Sequence, residues 1–141
     1  MAYKRYFESI DVSPSDSFVK ELLGIQNQVK IFHWQTSSYA THKALGDYYD
    51  SLSDLIDTFV EQYQGQFGRV PIKSNLGQSD NIGLSDLSGE EQIVLFVKNV
   101  WQWLTTLRQN TENEPNTTNL QNLIDEMIGE TAKLKYLLTL E

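Results

Sequence analysis

Phe18, Leu22, Ile25, Val29 and Phe32 step along the chain by four, three, four and three residues, and the same rhythm returns three more times. That spacing puts each set on one face of an α-helix, and such a face has to be buried against other helices. The second set is Leu45, Tyr48 or Tyr49, Leu52, Leu55 or Ile56, Phe59 and Tyr63. The third is Ile93, Val97, Val100, Leu104 and Leu107; the fourth is Leu120, Leu123 or Ile124, Met127, Leu134 and Leu137 or Leu138. The expected fold is therefore all-α, a four-helix bundle with helices near 14–37, 41–64, 89–111 and 117–139.

Local signals set those boundaries. Ser13-Pro14 reads as an N-cap followed by proline at the first helical position, with Ser15 as a competing cap. Gln35-Thr36-Ser37-Ser38 breaks the period, so the second helix is expected to start near Thr41, and Gly65 and Gly68 to end it. Ser88 with Glu91 three residues on is a capping-box pattern. The turn Asn113-Glu114-Pro115-Asn116 stops the third helix, and Thr117 or Thr118 caps the fourth. Residues 1–12, with Tyr3, Tyr6 and Phe7 but no sustained period, read as an N-terminal arm, and residues 13–141 as the bundle domain. Residues 65–87 are glycine-rich and lack a period, a connection longer than the roughly 15 residues beyond which structureless loops are uncommon. In an up-down bundle it would be a long crossover between helices 2 and 3, leaving those two parallel as in ferritin-like bundles. Val94 with Trp101, and Phe96 with Trp103, give the third helix a second apolar row, as expected if it packs both in the bundle and against another subunit. Trp34 is expected to pack between helices one and two.

Charge and cysteine usage narrow the function. Eleven Lys and Arg against nineteen Asp and Glu leave a net charge of −8, which disfavours nucleic acid and anionic membranes. Without cysteine there is neither a disulfide nor a thiolate metal site. No window approaches the roughly 20 apolar residues of a membrane span, and a cytoplasmic protein is expected.

The chemistry-bearing residues lie between Ile31 and Gln64. His33 and His42 are the two histidines of the chain, and Asp57 and Glu61 follow at helical i and i+4. Imidazole and carboxylate donors of this kind could together hold a hard or borderline divalent metal. His42 precedes Asp57 by 15 residues on one helix, a separation of about 22 Å along the axis at 1.5 Å per residue. One chain therefore cannot put both on a single ion; an antiparallel two-fold contact between copies would. The bland alternatives are a histidine at a helix end that bonds a carbonyl, and two carboxylates on a solvated face. Asp47, Asp50 and Asp54 read as such a face.

This stretch resembles the signature of the Dps mini-ferritins: a His-Trp pair at the end of the first helix, here His33-Trp34, then His42, then Asp57-Thr58-Phe59-Val60-Glu61. The last helix, DEMIGETAKLKYLLTLE, is also similar. The resemblance implies a ferritin-like bundle whose metal site, between two-fold related subunits, oxidises Fe(II) with peroxide or oxygen. It also implies a homo-oligomer, usually a twelve-subunit shell, that stores non-haem iron and protects a stressed cell. His33 and His42 of one subunit, with Asp57 and Glu61 of its mate, would then be the ferroxidase ligands. Many members coat DNA, a property the net charge of −8 disfavours here.

Two positions depart from that pattern. Where the family has an acidic ligand four residues after the second histidine, this chain has Gly46, so Asp47 or water would have to take that place. The segment between the two histidines is also three residues shorter than usual. Gly46 favours a rival reading, a non-catalytic helical assembly protein that keeps the ferritin-like bundle without its metal centre.

Overall fold

The computed structural model describes residues 17–72 and 83–140. The arm, the Ser13 and Ser15 caps and part of the 65–87 connection lie outside the described residues. Among the described residues there are four helices, α1 (Ser17–Gln35), α2 (Tyr39–Phe67), α3 (Glu90–Glu112) and α4 (Thr118–Leu137), and no strand. The chain is an all-α four-helix bundle. α1 packs on α2, α2 on α4, and α3 on α4.

The stripes are the core. Phe18, Leu22, Ile25, Val29 and Phe32 of α1 are buried together with Leu45, Leu52, Phe59 and Tyr63 of α2. Where the spacing left a choice, Tyr48, Ile56 and Ile124 take the core positions, and Tyr49, Leu55 and Leu123 are partly buried against them. Edge-to-face ring pairs join the layers: Phe18 with Phe59 at 6.0 Å, and Phe32 with Phe96 at 5.5 Å. In the second row of α3, Phe96 and Trp103 are buried, whereas Val94 is half exposed. The Tyr48 hydroxyl links α2 to α4, bonding Thr131 Oγ1 at 2.7 Å, while Thr131 donates to the Met127 carbonyl.

Helix ends differ from expectation in instructive ways. α2 starts at Tyr39, two residues before Thr41, because Ser38 is the N-cap and accepts from the Thr41 amide. It runs through Gly65 to Phe67, whose ring packs 4.9 Å from that of Tyr63. Gly68 ends it with φ 93°, a conformation glycine adopts without strain. At the start of α3 the expected Ser88–Glu91 box is displaced by one residue. Gln92 accepts from the Ser88 amide at 2.7 Å, and the N-cap is Gly89. Thr117 precedes α4 but does not cap it by side chain; its hydroxyl turns back to the carbonyls of Thr111 and Glu114.

The residues before α3 are tied down by glutamines on α1. Gln28, which is buried, donates to the Ser85 carbonyl at 2.9 Å and accepts from the Ser85 amide at 2.7 Å. Gln35, two helical turns on, does the same for Asp86 Oδ1 and the Leu87 amide. Thr36 then bonds Glu90 at the start of α3. At the other end of the bundle, Asn119 of α4 donates to Gln62 and Gln66 near the end of α2.

Candidate metal site

His33 sits in the last turn of α1 and His42 in the first turns of α2, joined by the three residues Thr36, Ser37 and Ser38. The last four carbonyls of a helix lack amide partners within it. For His33 that partner would be the Ser37 amide, which goes instead to Glu90 Oε1. His42 fills the gap: its Nδ1 donates to the His33 carbonyl at 2.7 Å. His33 Nδ1 donates in return to the His42 carbonyl, also at 2.7 Å. The two rings stack with centroids 3.9 Å apart and planes 15° from parallel.

This arrangement settles the tautomers. A carbonyl oxygen only accepts, so Nδ1 carries the hydrogen in both rings, and in the neutral imidazole Nε2 keeps the lone pair. An Nδ1–H bonded to a backbone carbonyl is also the usual support of a metal-binding histidine. The two half-buried rings can thus offer one nitrogen donor each.

Gly46 lies one helical turn after His42 and directly under the His33 ring. A β-carbon at that position would stand 2.9 Å from His33 Cε1 and 3.2 Å from Nδ1. Asp47, beside it, is exposed and pairs with Lys43 at 3.3 Å. The side chains of Asp57 and Glu61 are exposed and make no hydrogen bond or ion pair with any described residue. The two imidazoles at the corner and the two carboxylates farther down α2 therefore stand apart on one chain. The described residues gather no group of three or more His, Asp or Glu that could hold a metal ion. As donors the residues suit iron, but only two chains together would complete a ligand set.

Trp34 is not packed between α1 and α2; it is 64% exposed. It follows Phe32 by two residues, about 200° around the helix from the buried stripe. Lys30 Nζ lies 5.7 Å from its ring and 4.5 Å from that of Tyr49. Asp47, Asp50 and Asp54 are exposed as expected. Asp54 also joins Glu126 and Glu130 along an open groove of about 400 Å³ between α2 and α4. Among the described residues, no helix is long and apolar enough to cross a membrane.

Residues 33–138 match a family of unknown function, DUF5856. The chain belongs to that family. The matched region opens at His33 and takes in His42, Gly46, Asp57 and Glu61. A protein of Enterobacteria phage T4, described as an uncharacterized 14.6 kDa protein in the mobD-ri intergenic region, is 30% identical over 146 residues, with all of both chains covered. No solved structure matches the chain.

Proposed function

We propose that the chain is a Dps-like iron-binding protein that takes Fe(II) as substrate at a site shared by two subunits and holds the oxidised product. The observation that carries this reading is the paired Nδ1–H bonding of His33 and His42, which leaves two Nε2 donors at one end of α2. Asp57 and Glu61, exposed and unengaged, are the complementary oxygen donors, and their distance from His42 is what calls for a second copy. Hard carboxylate oxygens favour Fe(III), and imidazole helps retain Fe(II). Peroxide or oxygen would accept the electrons; one peroxide takes one electron from each of two Fe(II) and two protons, leaving as two waters. The ferritin-like crossover belongs to the same reading. It is supported by the Thr36–Glu90 and Asn119–Gln62 bonds, which set the start of α3 beside the end of α1 and the start of α4 beside the end of α2. A two-fold homo-oligomer, a twelve-subunit shell and a cytoplasmic location complete it.

The rival is an assembly protein without a metal centre. It is favoured by Gly46, which leaves no carboxylate one turn after His42, the place now covered by the His33 ring. Oxidation of Fe(II) by the purified protein with peroxide or air, followed optically, separates the two. The iron reading expects a rate well above the protein-free control that is lost in Asp57→Ala/Glu61→Ala. A rate equal to the control rejects it in favour of assembly, and a rate unchanged by that double substitution rejects Asp57 and Glu61 as ligands.

A further inference from the structure

We propose that Gly46 is the positioning residue of the histidine pair: its lack of a side chain is what lets the His33 imidazole lie on α2 and supply a nitrogen donor one turn beyond His42. The carboxylate implied at this position by the resemblance and the His33 ring cannot both be there. A β-carbon at residue 46 would come within 2.9 Å of Cε1 and 3.8 Å of Nε2, and the closest contacts are with the ring itself, not with the end of a flexible chain. The ring cannot easily turn away, because Nδ1 is fixed on the His42 carbonyl at 2.7 Å and one face is stacked on His42.

The two departures in this stretch are thereby one feature. A corner of three residues between Gln35 and Tyr39 draws His33 down onto α2, and glycine at 46 makes the space for it. Glycine is a poor helix former, yet here it stands inside a 29-residue helix, 22 residues before its C-terminal cap at Gly68. The half-site that results has two imidazole nitrogens and no carboxylate of its own, a donor set that selects borderline divalent transition metals over Mg²⁺ and Ca²⁺. The metal preference rests on the reading given under Proposed function; the steric role of Gly46 does not.

The test combines ¹⁵N NMR of the imidazoles, thermal unfolding and Co²⁺ titration on wild type, Gly46→Ala, His33→Ala and the double variant. With both rings neutral, wild type is expected to show the Nδ1–H tautomer for each. Gly46→Ala is expected to lose that signature at His33 and to melt at a lower temperature, although alanine is the better helix former. In the His33→Ala background the same substitution is expected to raise the melting temperature, since the obstructing ring is gone. That comparison also holds if Gly46→Ala alone fails to fold and the double variant recovers. Co²⁺ affinity is expected to drop at least tenfold in Gly46→Ala, with no comparable competition by Mg²⁺ in wild type. An unchanged His33 tautomer, with a raised melting temperature in both backgrounds, overturns the positioning role. If tautomer and melting behave as expected but wild type takes up no Co²⁺, the positioning role stands and the metal reading falls.

Discussion

His33 and His42 each donate Nδ1–H to the other's carbonyl at 2.7 Å, so two side chains close the corner between α1 and α2 symmetrically. One of these bonds satisfies a carbonyl that the end of α1 leaves unpaired. Replacing His42 by alanine removes both that bond and the stacked face. The expected cost is about 1 to 2 kcal/mol, the sum of one hydrogen bond and lost ring contact. A double-mutant cycle with His33→Ala, read by urea unfolding, should return a coupling above roughly 0.5 kcal/mol, because the two residues share one contact. Simple additivity would mean that the rings do not meet in solution.

The clasp between Gln28 and Ser85 predicts a larger effect from a residue with no claim to chemistry. Gln28 is 6% exposed and satisfies both the amide and the carbonyl of Ser85. In Gln28→Ala those groups lose their partner, at an expected cost of about 1 to 3 kcal/mol. Hydrogen exchange should quicken at the Ser85 and Leu87 amides ahead of the core of α1, whereas uniform protection across both would show the clasp to be incidental.

The stripes were legible in the sequence because burial of a helix face leaves a period in the order of apolar residues. Phe18 to Phe32 and Ile93 to Leu107 are core where the spacing put them. Tyr48 and Tyr49 could not be separated that way, since adjacent residues fit a period of 3.6 almost equally; the hydroxyl partner Thr131, 83 residues on, decides it. Gln28 was hidden for a similar reason, its partner lying 57 residues away in a segment with no period. His33, His42, Asp57 and Glu61 stood out by residue type. Their separation on one chain followed from helical rise, but the stacked geometry and the ring over Gly46 did not, because both depend on how a three-residue corner turns. Trp34 was misplaced because a large aromatic next to a stripe invites burial, while the angle around the helix put it outside.

Glu21 carries the clearest pH dependence. Burial on α1 pushes its carboxyl up to about 7 from 4.5. The folded protein thus holds a proton that the unfolded chain releases between those values, so stability is full below the lower value and is lost as pH rises towards and through about 7. Glu21→Gln keeps the shape and removes the charge. It is expected to raise the melting temperature at pH 8 and to leave it nearly unchanged at pH 4, flattening the profile in between. A variant whose profile parallels wild type from pH 4 to pH 8 would place the titrating group elsewhere.

The central claim, that His33 and His42 of one copy work with Asp57 and Glu61 of another, is tested most directly by mixing two inactive variants. His33→Ala/His42→Ala and Asp57→Ala/Glu61→Ala are each expected to lack Fe(II) oxidation. Unfolded, combined in equal amounts and refolded, they should regain about one quarter of the wild-type rate, since half of the two-fold pairs would be mixed and each mixed pair would hold one whole site and one empty one. A mixture no faster than either variant alone, or a wild-type rate no higher than the protein-free control, would contradict the shared site.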